Sequence, residues 1–290
     1  MLRSMYAGIS GMKNFQTKLD SIGNNIANVN TVGYKKGRVT FQDMMSQTIS
    51  SAQGPNDGVR GGINAKQVGV GSQLGSIDTI HTQGFRQTTD NPLDLMLQGD
   101  GMFIVSKTGG TDSEDLAYTR AGNFYLDNDG RVVTADGNYL MGFDVDADGK
   151  VTDATKLDYI TIPLEENAGD EKSRAISLNI QQDGTVTYID EDNKQQVAGK
   201  IALAMFSNPG GLEKAGGNLY LNTDNAGLSD NYFEPESEAA TIVSGALEMS
   251  NVDLAEEFTD MITAQRGFQA NTRMITTSDE ILQELVNLKR

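Results

Sequence analysis

Met5, Met12, Leu19 and Ile26 recur at seven-residue steps near the start of the chain, and Leu254, Met261, Phe268, Ile275 and Leu282 recur at the same step near its end. A seven-residue apolar repeat keeps one stripe of a helix facing a partner helix. Both ends are therefore predicted to be long helices sharing a seam, within one subunit or between subunits. In the first stretch Leu2, Ile9, Phe15, Ile22 and Val29 complete the steps of three and four that mark a helix. The segment GNNIANVNTVGYKK, residues 23–36, then turns the polar face into asparagine. Asparagine competes for backbone hydrogen bonds and Gly33 ends any helical continuation, so a shaped polar loop is expected there.

The second helix is expected from Leu254 to Leu288, with Asp253 as its cap, Glu256, Glu257 and Asp260 near the positive end and Lys289 and Arg290 at the negative one. At about 1.5 Å per residue it would span roughly 50 Å, long for a globular helix. Phe258, Ile262, Leu285 and Leu288 are expected to widen its seam. Gly267 inside a helix costs about 1 kcal/mol against alanine, and is best placed where a second backbone comes close.

Between the ends the period changes to two. SLNIQQDGTVTYID reads as a hairpin turning at Asp183-Gly184, and NFYLDNDGRVVTADGNYLMGF as further strands turning near Asp129-Gly130 and Asp136-Gly137. The expected fold is a mainly β body with long N- and C-terminal α-helices forming a discontinuous coiled-coil domain. The expected boundaries are residues 1–48 plus 245–290 for the helical domain, 49–64 for a glycine-rich connector, 65–144 plus 181–240 for the β domain, and 145–180 for an outer insertion. Residues 223–240 read as a second connector. The central segment, 65–240, is expected to fold alone, and the helical ends to order only on assembly.

Charge and composition remove several classes. A net charge of −17 and a pI near 4.4 oppose nucleic acid and anionic membrane surfaces. No apolar run reaches membrane-spanning length, and MLRSMYAGIS lacks the blocks of a cleavable signal peptide. With no cysteine there is no disulfide, thiolate metal site or thiol nucleophile, and His81 is the only histidine. GVGSQLG at 69–75 has the wrong spacing for a dinucleotide loop. Asp144, Asp146, Asp148 and Gly149 match the first positions of a calcium loop, but Thr155 stands where the bidentate glutamate belongs. The preferred reading of that stretch is a β-turn without a metal.

Two long motifs carry a resemblance. IGNNIANVNTVGYKKGRVTFQDM and SNVDLAEEFTDMITAQRGFQANTRMITTSDEILQELVNL resemble the N- and C-terminal signatures of the bacterial flagellar rod and hook proteins. LDLMLQGDGMFIV, YTRAGNFYLDNDGRVVTADGNYLMG and IALAMFSNPGGLEKAGGNLYLNT are similar to the β domain between them. The residues matched to the family motif are Asn24, Asn25, Asn28, Asn30, Thr31, Gly33, Tyr34 and Lys35, and Ser250, Asn251, Val252, Gln265, Arg266 and Phe268. The look is closest to hook members, with distal rod members the near alternative, although the chain is short for a hook.

The resemblance implies a non-enzymatic structural protein without cofactors. Its helices would form an inner layer around an export channel, as a helical homopolymer transmitting torque. The implied partners are copies of itself, rod and hook–filament junction proteins, the hook cap and the type III export apparatus, without nucleic acid or membrane insertion. The implied location is extracellular, in the flagellum, reached without a cleavable signal peptide. Two rivals stand beside this reading. A calcium-stabilised extracellular β protein of adhesin type would rest on Asp144, Asp146 and Asp148. An acidic hydrolase would rest only on the abundance of carboxylates.

Overall fold

The computed structural model describes residues 2–54, 61–108, 115–145, 151, 156–163, 175–228, 232–233, 235 and 240–288. It is mainly β with one helix at each end. The chain divides into two compact units. The first holds residues 1–27, 37–80 and 252–290, and the second holds 28–36 and 81–251.

In the first unit α1 (Leu2–Ala27) and α2 (Leu254–Leu288) run antiparallel. Gly8 lies beside Ile275, Gly11 beside Asn271, Phe15 against Gly267 and Asn25 beside Glu257, so each step along α1 is matched by a step back along α2. Asp253 caps α2 as expected, its Oδ1 accepting from the Ala255 N–H at 2.8 Å. Gly267 is explained by a side chain instead of the expected backbone. A Cβ there would stand 2.6 Å from the Phe15 ring. The small contact positions let the helices approach closely.

The same unit contains β1 (Gly37–Asp43), β2 (Gln47–Ser50), β3 (Lys66–Val68) and β4 (Ser72–Thr79). β1 pairs antiparallel with β4, and β2 with β3. Residues 65–80, expected in the β domain, therefore group with the helices. The reason lies in β1, which follows α1 and brings β4 with it: Asn14 Nδ2 donates to Ser72 Oγ at 2.8 Å and the Phe15 and Phe41 rings meet edge-on. The expected connector is flanked by a hairpin arm, with Gln53 and Ile63 bridging.

The second unit is the β body. In chain order its strands are β5 (Arg86–Thr88), β6 (Leu95–Gly99), β7 (Met102–Ser106), β8 (Leu116–Thr119), β9 (Phe124–Leu126), β10 (Val132–Thr134), β11 (Tyr139–Phe143) and β12 (Leu157–Tyr159). They continue with β13 (Ser177–Ile180), β14 (Thr185–Ile189), β15 (Gln195–Ile201), β16 (Leu203–Ala204), β17 (Glu213–Gly216), β18 (Leu219–Leu221), β19 (Ala240–Ser244) and β20 (Ala246–Glu248). The main sheet follows the path β13-β14-β15-β11-β7-β8-β18-β17, while β19 pairs with β6 and β20 with β5. The three expected turns fall between β9 and β10, β10 and β11, and β13 and β14, with Gly130, Gly137 and Gly184 at positive φ.

The core explains why β7 reads as an unbroken apolar run. Phe103 and Val105 enter one buried cluster with Phe124, Leu140, Ile201 and Ile242, while Met102 and Ile104 enter another with Tyr118, Met141 and Phe143. A strand covered on both faces has no polar face to show. Of the calcium-like loop, Asp144 is exposed at the end of β11, and Asp146 and Asp148 lie outside the described residues.

Candidate functional site

Among the residues expected to form the assembly seam, Met5, Met12, Leu19 and Ile26 on α1 and Met261, Phe268, Ile275 and Leu282 on α2 are half-buried, while Leu254 is exposed. The deepest positions of α2 are Glu257, Ala264 and Ser278, with half-buried Asn271 completing their seven-residue step. This second, small and polar series carries no apolar signature. It is the part of the seam that periodicity missed. Asn25 ties it to α1: its side chain exchanges hydrogen bonds with Gly37 N and O at 3.0 and 2.9 Å and donates to the Glu257 carboxylate at 3.3 Å. Lys18 Nζ adds an ion pair with Asp260 at 3.0 Å, of small worth because both side chains are partly exposed.

Phe258, Ile262, Leu285 and Leu288, expected to widen the seam, are exposed. Phe258 is 49% exposed and Leu288 82%. One residue is a turn of 100° on a helix, which turns Phe258 from Glu257, whereas Leu285 falls on the same seven-residue step as Glu257, Ala264, Asn271 and Ser278. Tyr6 and Ile9 on α1, and Met274, Ile281 and Val286 on α2, are exposed likewise. Gln265 and Arg266 are also exposed.

In the body the two motif segments meet at a buried charge cluster. Glu248, at the end of β20, is fully buried and accepts from Lys35 Nζ at 2.7 Å, Arg120 Nε at 2.8 Å and the Gly84 N–H at 2.9 Å. Burial alone would push the Glu248 carboxyl up. The charges of Arg120 and Lys35 and the Gly84 N–H outweigh this and hold it below its ordinary value. Lys35 Nζ also donates to Thr82 O, and Arg120 to the carbonyls of Leu97, Gly99 and Gly101. With its ions paired and hydrogen-bonded, the cluster is tolerable inside the body. Removing one member leaves a charge stranded there.

Of the remaining motif residues, Gly33 touches this cluster through the backbone of Glu248. Gly33 has φ +70° and its N–H donates to Glu248 O at 2.8 Å. A Cβ there would lie 2.7 Å from Ala121 N, so both conformation and space require glycine. Thr31 Oγ1 donates to Asn28 Oδ1, and the Tyr34 ring lies under Lys214 Nζ at 5.3 Å. Asn251 Oδ1 accepts from Lys36 N at 2.8 Å while its Nδ2 donates to Thr82 Oγ1 at 2.9 Å. Ser250 and Val252 are buried; Asn24 and Asn30 are exposed. Glu248 and Arg120 were not legible as site residues. The available signal is a lone charge inside an apolar strand, as in IVSGALEMS.

The described residues thus form a helix at each end of the chain and a β body that both motif segments help to close. The family description "Flagella basal body rod protein" matches residues 5–35, "Flagellar hook protein FlgE/F/G D1 domain" matches 96–188, and "Flagellar basal body rod FlgEFG protein C-terminal" matches 243–288. Lys35, Arg120 and Glu248 fall one in each match. The flagellar basal-body rod protein FlgG of Bacillus subtilis is 51% identical over the whole of both chains, and that of Caulobacter vibrioides 38% identical over 99% of this chain. The flagellar hook protein FlgE of Borreliella burgdorferi is 32% identical in an alignment of 447 positions covering all of both chains. The chain belongs to the family of flagellar rod and hook proteins, and it is a structural protein, not an enzyme.

Proposed function

We propose that this chain is a rod subunit of the flagellar basal body, of the distal-rod type, which polymerises with copies of itself through α1 and α2 packed as a coiled-coil layer. The observation that carries assembly is the apolar stripe left on the helices: Ile281, Leu285 and Leu288 follow helical spacing and are exposed, as are Tyr6, Ile9, Phe258 and Ile262. A chain that remained alone would hold such a surface in water at a penalty of about 25 cal/mol per Å2. Neighbouring copies cover it.

The resemblance read from the sequence is closest to the hook, with the distal rod as near alternative. Full-length similarity favours the rod, because the FlgG relative of Bacillus subtilis matches end to end over 291 positions, whereas the FlgE relative needs 447. A hook of that kind carries long insertions that this chain lacks. Complementation separates the two: in cells lacking either the distal-rod or the hook subunit, this chain is expected to restore the distal rod in electron micrographs of isolated basal bodies. Restoration of hooks on complete rods, with no effect on the rod deletion, would overturn the assignment.

A further inference from the structure

The body contains a cavity of about 260 Å3 lined by Lys35, His81, Asp100, Arg120, Met205 and Phe206 among others. Its polar walls have unused capacity. Lys35 Nζ has three N–H groups and gives two of them to Glu248 and Thr82. Arg120 has five and, among the described residues, gives four, to Glu248 and to the carbonyls of Leu97, Gly99 and Gly101, which leaves one on Nη1. The His81 Nδ1 is buried without a hydrogen-bond partner among the described residues. Buried polar atoms in that condition are uncommon in folded proteins.

The local charge is unlike that of the rest of the chain. Burial and three cations, Lys35, Lys214 and Arg120, hold His81 below its ordinary value, in a protein of net charge −17. Glu248 neutralises one of them, and Asp100 is exposed. The cavity is smaller than a drug-sized pocket. Its size fits a carboxylate on a short stem.

We propose that this cavity binds a carboxylate group, whose oxygens accept from Lys35 Nζ and Arg120 Nη1 while its stem lies against Met205 and Phe206. The carboxylate comes either from a small free acid or from an acidic side chain of a second copy, the chain itself carrying 40 Asp and Glu residues. A bound anion also raises the proton affinity of His81, so Nδ1 becomes a third donor as the pH falls.

His81 is the only histidine, which makes its ring a single NMR reporter in the full chain. Titration with sodium acetate at pH 7 is expected to move its signals to saturation, while sodium chloride at equal ionic strength does not. Asp100→Asn, a change at an exposed position outside the ion cluster, removes a repelling charge and should tighten acetate binding roughly threefold to tenfold. In a second arm protein concentration is varied without acetate. A shift that grows with concentration and is reversed by acetate assigns the occupant to a second copy, and a signal independent of concentration assigns it to a free acid. Absence of a saturable acetate response in both the native chain and Asp100→Asn, or an equal response to chloride, would overturn the proposal.

Discussion

Glu248 closes the body because it is the only anion that Lys35 and Arg120 share at bonding distance among the described residues. Glu248→Gln keeps the shape and removes the charge, so two buried cations lose their counterion. The expected loss is about 3–5 kcal/mol at pH 7 by chemical denaturation, a large part of a typical domain's stability; a loss under about 0.5 kcal/mol would contradict the role. The carboxyl is held below its ordinary 4.5, so its stabilisation is present above that value and is lost as the pH falls through the lower folded value. His81 acts in a higher window. Burial and the nearby Lys35, Lys214 and Arg120 lower it from 6.5 to about 4. The unfolded chain thus takes up a proton that the folded body refuses, and stability should decline as pH falls from 6.5 to about 4. In acetate-free buffer, His81→Asn should flatten that decline in thermal melts. These residues were hidden in the sequence because a single Glu, Arg or His shows its charge but not its burial.

The helical seam shows which part of an element a periodic pattern reveals. Met261, Phe268, Ile275 and Leu282 announce themselves by spacing, whereas Glu257, Ala264, Asn271 and Ser278 share the seam without an apolar signature. Apolarity likewise led Phe258 and Ile262 to be expected there; it records that a residue needs covering and is silent about which surface covers it. Gly267→Leu decides between two opposed effects. Losing glycine gains about 1 kcal/mol of helix propensity, but the new side chain must enter space held by the Phe15 ring, and overpacking costs about 1–3 kcal/mol. The clash is expected to win, seen as lost helical ellipticity with the body still folded. Adding Phe15→Ala should restore part of the helix signal, and an additive double variant would contradict the contact.

At the scale of the whole molecule, strands and turns within residues 123–143 and 177–190 were legible from period two and the Asp-Gly pairs. The closure of the body was not, because it joins residues far apart in sequence: β19 and β20 pair with β6 and β5, and Lys35 reaches Glu248. A fragment of residues 65–240, which sequence alone expects to fold, lacks Lys35, Glu248, β20 and nearly all of β19. It is predicted to show no cooperative melting by calorimetry, whereas residues 28–251 should melt cooperatively; equal transitions would refute the closure. The proposed assembly, in turn, runs through the ends. The most direct measurement is negative-stain microscopy of the full chain beside its Phe268→Asp variant, with a thermal melt as the folding control. Phe268 is half-buried on α2 and stands in the seven-residue series proposed to assemble, and the aspartate replaces aromatic packing by an unpaired charge. The prediction is straight tubes from the native chain and folded, unassembled protein from the variant; tubes of equal length and yield from both would contradict assembly through the helices.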